Sequence, residues 1–147
     1  MKMGKYFEEF EVGEKGEGNA ITITDTHLVL FGSITGDFNG LHFNDEVAKQ
    51  GRFGGRIAHG LFIMSLASGG LGDPVQGTVV GNMGISARFK APARIGDTIT
   101  PGWEVTDKKL RKTDGVVTFK ITCVNQKGEL VMEGEQKYLL KRREAGA

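Results

Sequence analysis

Apolar residues in the first half of the chain come in short groups divided by glycines and small polar residues, whereas beyond Thr78 they come in long β-like runs. Asn19 to Thr24 mixes Ala20, Ile21 and Ile23 with threonines and predicts a short strand. A helix is expected next. Thr24 or Asp25 supplies an oxygen for the orphan amides of a helix start, Leu28, Val29 and Phe31 form the buried stripe, and Gly32 to Gly36 ends it. After an irregular segment, Gly36 to Asn44, the residues Asn44 and Asp45 cap a short helix through Lys49, and Gly51, Gly54 and Gly55 make a loop.

From Ile57 to Ser68 the residues Leu61, Phe62, Ile63, Met64, Leu66 and Ala67 leave almost no polar face, so the pattern predicts a helix buried on all sides. Gly72-Asp73-Pro74 marks a turn. Five strands are expected beyond it, over Thr78 to Met83, Ile85 to Lys90, Thr98 to Thr106, Val116 to Asn125 and Leu130 to Leu140. Gly96-Asp97, Asp114-Gly115 and Lys127-Gly128 supply turns that make these strands a meander of antiparallel neighbours. One buried helix against such a sheet defines the α+β class, because a sheet with one apolar face needs a covering element.

Residues 1–147 read as a single domain, since no linker-like stretch interrupts them. Nineteen basic and eighteen acidic side chains nearly cancel, so no nucleic-acid surface is expected. The basic tip Lys141-Arg142-Arg143 reads as a solvated tail. The longest uncharged stretch, Ile57 to Gly72, is shorter than the ~18 residues of a membrane span, and no signal-peptide core precedes it. A lone cysteine, Cys123, reads as a half-buried strand residue in a reducing, cytoplasmic compartment. Glycine is abundant, 23 of 147 residues, and its scatter points to turns and close backbone approaches.

His27, His42 and His59 stand at spacings unlike those of zinc motifs, and the stretch Gly51-Arg52-Phe53-Gly54-Gly55 lacks the lysine of a phosphate loop. No metal and no cofactor is expected. The chemistry concentrates in Gly36-Asp37-Phe38-Asn39-Gly40-Leu41-His42, where an aspartate and a histidine five residues apart can face one water molecule. Asn39-Gly40 alone also reads as a tight hairpin turn with His42 incidental, but neither flank has the alternation of a hairpin strand.

This segment, followed by Phe53-Gly54-Gly55-Arg56-Ile57-Ala58-His59-Gly60, by Ser65-Leu66-Ala67-Ser68-Gly69 and by Arg88-Phe89-Lys90-Ala91-Pro92-Ala93-Arg94-Ile95-Gly96-Asp97, resembles the MaoC-like hydratases. That family includes the (R)-specific enoyl-coenzyme A hydratases. The resemblance runs from about Val12 to Tyr138 and departs at Gly40, where the family motif has proline.

The resemblance implies a hot dog fold, an antiparallel sheet wrapped round a central helix. It implies hydration of an enoyl thioester, or the reverse dehydration, with Asp37 and His42 activating the water and the Gly60 N–H binding the enolate oxygen. A helix start suits that last task, because its free N–H groups and dipole favour negative charge. By itself Gly60 also reads as a packing glycine. Ser68 matches a family serine near the site, although a helical serine also bonds its own backbone. Asn39 holds the loop, His59 reads as a core histidine, and Arg56, Arg88, Lys90 and Arg94 are candidates for coenzyme A phosphates. A homodimer or higher homo-oligomer is expected, because a single curved sheet leaves edge strands open. Two rival functions stay open at this level: a hot dog thioesterase attacking the carbonyl carbon, and a non-catalytic acyl-thioester-binding partner subunit.

Overall fold

The computed structural model describes residues 2–143. A 3-10 turn, Phe7–Glu9, leads into strands β1 (Lys15–Glu17) and β2 (Ile21–Thr22). The helices α1 (Asp25–Thr35), α2 (Gly40–Phe43), α3 (Asp45–Gln50) and α4 (Gly60–Gly69) follow. The long strands β3 (Val79–Phe89), β4 (Thr98–Leu110), β5 (Asp114–Val124) and β6 (Leu130–Lys141) complete the chain. Among the described residues no helix is long and apolar enough to cross a membrane.

Helix α1 starts where the threonine predicted it, with the His27 ring turned back so that Nδ1 lies 3.0 Å from Thr24 N. It runs to Thr35, within the stretch expected to end it, and Gly36 at φ +77° closes it with its N–H on the Gly32 carbonyl at 2.7 Å. Glycine is the residue that reaches this left-handed conformation without a Cβ clash. The buried stripe is Leu28 and Gly32 with Phe31 beside them, and Val29, expected in it, is 44% exposed. A turn of 3.6 residues puts position 29 about 100° round from 28, off the face that 28 and 32 share.

The sheet is antiparallel in the order β1-β4-β5-β6-β3, with β2 also on β4. Strands β4, β5 and β6 form the expected meander, but β3 joins β6 and not β4. Gly96-Asp97 therefore turns the chain into β4 without joining neighbours, and Asp114-Gly115 already pairs within β5. The two strands expected between Thr78 and Lys90 are one strand, with register shifts at Val79/Gly81 and Asn82/Gly84. Val80 and Met83 are the extra residues at these two bulges, and Gly84 pairs with Lys137 within the one strand. Further along, Gly134 in β6 stands opposite Ala87 and lets β3 come close, since a Cβ there would lie 1.9 Å from the Ser86 carbonyl oxygen.

Helix α4 lies across this sheet, as the hot dog arrangement requires, with Phe62, Ile63 and Ala67 buried against Ile99, Val105, Phe119, Ile121 and Met132. Each fully buried large side chain contributes ~1.5–3 kcal/mol, which outweighs the ~1 kcal/mol that a helical glycine costs at Gly60 and Gly69. The helix begins three residues later than the apolar run, because Ala58 N is bonded to Ala93 O at 2.7 Å and His59 takes the cap position. Nor is it buried on all sides: Leu61 is 57% exposed and Ser65 faces outward.

Phe10 fills the far end of the core, edge-on to Phe119 at 5.4 Å. Cys123 is fully buried and not half-buried, and burial pushes its thiol up to about 12, which makes it unreactive. The tail is not free either. Arg142 and Arg143 pair with Glu8 and Glu9 at 3.1 and 2.8 Å.

Candidate active site

The segment after α1 is wound by its own side chains. Asp37 Oδ1 accepts the N–H of Asn39 at 3.2 Å, and Asn39 Oδ1 accepts the N–H of Leu41 at 3.0 Å. The second bond caps α2, a single turn that carries His42 inward to 8% exposure. Asn39-Gly40 is thus a helix start and not a hairpin, and the expectation of an irregular segment through Asn44 fails for residues 40–43. Asn39 holds the loop, as read from the sequence.

His42 Nδ1 lies 2.7 Å from the Ile57 carbonyl oxygen. A carbonyl only accepts, so Nδ1 carries the proton and Nε2 is left with a bare lone pair. That Nε2 is 3.9 Å from Asp37 Oδ2, whose side chain is half exposed. The third member is His59, only 2% exposed, with Nε2 3.0 Å from the main-chain oxygen of Asp37. Its ring stacks on that of His42 with centroids 3.9 Å apart and 26° between planes. Sequence reasoning gave His59 no role; the one available signal was its place just before the glycine that opens α4.

These three residues bring one ligand atom each within 4.8 Å. Zinc needs nitrogen lone pairs converging at ~2.0–2.1 Å. Stacked rings direct theirs in near-parallel planes, which does not bring them to one point. The cluster is built as a hydrogen-bonded set.

Next to it opens a cavity of about 570 Å³ bordered by His42, Gly60, Leu41, Phe53, Leu61 and Phe89, with Ile63 and Val131 deeper in the core. Its apolar lining and few polar groups suit a small-molecule chain. Gly60 is the first residue of α4, where an N–H has no partner within the helix. The Phe89 ring lies so close that a Cβ on Gly60 would be 2.9 Å from it.

The candidate cations divide. Arg56 bonds Asp25 at 2.9 Å and Asp45 at 2.8 Å, and these hydrogen bonds raise its guanidinium above its ordinary value. Arg94 turns back to the carbonyls of Phe53 and Arg56, at 2.5 and 3.4 Å. Both brace the loop around the site. Arg88 stands on the outer face of the sheet beside Lys120 and Glu133. Lys90 borders the cavity while paired to Glu133 at 3.0 Å, a bond that holds the Glu133 carboxyl below its ordinary range. Arg52, which sequence reasoning missed, also borders the cavity, with its guanidinium 6.0 Å from the Phe53 ring centre. Ser68 does not join the group: eight residues past Gly60, about 12 Å along the helix, it accepts the side-chain N–H of buried Gln136 at 3.0 Å.

An antiparallel sheet wrapped round a buried helix, with an Asp–His pair beside an apolar cavity, is the arrangement of a hot dog protein, and comparison places the chain among them. The MaoC like domain model matches residues 9–126. An (R)-specific enoyl-CoA hydratase of Rhodospirillum rubrum is 37% identical over 130 residues, 88% of each chain. Among solved structures, a monoamine oxidase regulatory protein from Archaeoglobus fulgidus superposes with TM-score 0.90 at 36% identity, covering 97% of this chain and 98% of that one. An R-hydratase of Pseudomonas aeruginosa does so with TM-score 0.80 at 31% identity, covering 94% and 86%. The chain belongs to the MaoC-like dehydratase family.

Proposed function

We propose that this protein hydrates an enoyl-coenzyme A thioester to the (R)-3-hydroxyacyl thioester, and catalyses the reverse dehydration. The observation that carries the reading is the gap between His42 Nε2 and Asp37 Oδ2, 3.9 Å between two hydrogen-bond acceptors. Two acceptors at that separation do not bond each other, but one water between them donates an O–H to each. Both lone pairs of the water oxygen are then free, and it is a base-assisted nucleophile.

With the acyl chain in the cavity, the water oxygen bonds to C3 while the pair takes up one of its protons. The pair returns one proton to C2, so the elements of water are added across the double bond. Negative charge that develops on the thioester oxygen meets the Gly60 N–H, where the helix start favours it. Lys90 and Arg52 supply positive charge at the cavity border for the phosphates of the carrier. The naming of the Rhodospirillum relative supports the (R) outcome.

The working unit of this proposal is a homodimer. Strand β3 ends the sheet, and Val80, Met83 and Phe89 on it are exposed, as is Leu61 nearby. An open edge with an apolar border is a surface that a second sheet covers.

The test is incubation with crotonyl-coenzyme A, following loss of the conjugated enoyl absorbance and release of free thiol together, with chiral analysis of the product. Enoyl loss without thiol and an (R) product are expected. Thiol release would mean a thioesterase, and no change a binding subunit; either overturns the reading.

A further inference from the structure

We infer that His59 is a positioning residue of this site: its Nε2–H holds the main chain of Asp37, and the face of its ring sets the plane of His42. The inference rests on the hydratase reading for its kinetic consequence.

Three observations separate this role from that of a core filler. His59 is buried beside Phe31 and Phe43, with ring centres 5.1 and 5.6 Å away, so apolar bulk alone would be served by a third phenyl ring. What an imidazole adds is the Nε2–H to the Asp37 carbonyl at 3.0 Å. The other nitrogen, Nδ1, is buried without a hydrogen-bond partner among the described residues, a cost that hydrophobic packing gives no reason to bear. The carbonyl acceptor also fixes the tautomer: Nε2 is protonated and Nδ1 bare.

The residue stands where the parts of the site meet. Asp37 lies on an exposed loop and its carboxylate is braced by the Asn39 N–H alone among the described hydrogen bonds, so its backbone anchor governs where the acid points. His42 is held at Nδ1 by Ile57, which fixes one ring atom but leaves rotation about that bond; the stacked face of His59 removes it. His59 is also the cap residue of α4, joined by a peptide bond to Gly60. One side chain thus ties Asp37 to His42 at the start of the helix that carries the Gly60 amide, while standing outside the cavity that takes the acyl chain.

The experiment compares His59→Phe, which keeps the stacked ring but loses the donor, with His59→Gln, which offers an amide N–H near the Nε2 position. Turnover of crotonyl-coenzyme A should fall by about 10²-fold in the Phe variant, the effect of a ~1 Å misplacement, with KM little changed. The Gln variant should recover part of that loss although it packs worse and melts lower. A filler role predicts the reverse order, with activity following melting temperature, and that result overturns the inference.

Long-range proton–nitrogen spectra of the wild-type histidines give a reading independent of turnover. His59 with its proton on Nδ1, or on both nitrogens at neutral pH, overturns the inference even if hydration is seen. An inactive wild type with the Nε2–H tautomer intact, and with the Asp37 amide shifted more in His59→Phe than in His59→Gln, overturns the hydratase reading and leaves the positioning role standing.

Discussion

His42 Nε2 and Asp37 Oδ2 face each other across 3.9 Å, wider than a direct hydrogen bond and matched to one bridging oxygen. Asp37→Asn and His42→Gln keep shape but remove the base. Each should lose roughly 10²–10⁴-fold in turnover with a smaller change in affinity. The double variant should be little worse than the worse single one, because both groups act on one water. Hydration rates measured beside circular dichroism melts decide it: near-wild-type turnover in well-folded Asp37→Asn would sink the mechanism.

Gly40 is the first residue of α2, and Asn39 before it is extended at φ −55° and ψ 137°. Proline is at home in the first helical position, and its predecessor is at home in that extended region. A Cβ at Gly40 would come 3.1 Å from Val47 Cγ1, but Val47 is exposed and its side chain can yield. Gly40→Pro should therefore stabilise by about 0.4–1 kcal/mol and keep or raise activity. A melting temperature lower by several degrees would refute this.

Gly60→Ala separates fold from function at the cavity. Its new methyl group meets the Phe89 ring at 2.9–3.1 Å, and that ring is half exposed and free to swing. Melting should change little, since alanine favours the helix by ~1 kcal/mol over glycine. Turnover should drop by about 10²-fold as the displaced ring and methyl misplace the thioester. Unchanged kcat/KM would remove Gly60 from the site.

Burial pushes the Cys123 thiol up to about 12, against ~8.5 in an unfolded chain. The group binds its proton more tightly when folded, so its contribution to stability is complete below the unfolded value and is lost as pH rises towards the folded one. Urea midpoints should fall between pH 8 and pH 10.5 more steeply for wild type than for Cys123→Ala. An aromatic disulfide reagent should label the thiol only as the chain unfolds; rapid labelling of native protein at pH 8 contradicts the burial.

Light scattering at micromolar concentration should give at least twice the 15.9 kDa of one chain. An aspartate at the exposed edge position Met83 should shift the equilibrium towards monomer without unfolding it. A wild type that is monomeric throughout the range of the activity assay would refute the dimer.

Much of this was legible from spacing. Thr24 marked a helix start, Lys127-Gly128 a hairpin, and the register from Asp37 to Gly60 identified the family. What escaped depends on contacts distant in sequence. That β3 lies beside β6 and not β4 is a long-range pairing, which needs the close approach of Gly134 to Ser86 and which no local pattern records. Arg56 and Arg94 resemble phosphate ligands until Asp25, Asp45 and the Phe53 carbonyl are seen to occupy them. His59 looked like core because its orphan nitrogen and its tie to Asp37 exist only in the fold.

The two register shifts in β3 act on the chain's company as well as on its shape. An outermost strand with an unbroken ladder is a template for any extended segment, and crowded or half-folded chains stack on it. Here the first half of that strand is interrupted twice, so an arbitrary β-segment finds hydrogen-bond partners in step for only a few residues before it slips. A copy of the same edge, turned about a twofold axis, carries the same interruptions and meets them in a fixed and repeatable way. In the dimer proposed above, the bulges would work as a password: the edge accepts its twin while discouraging the strand-by-strand growth that leads to fibres.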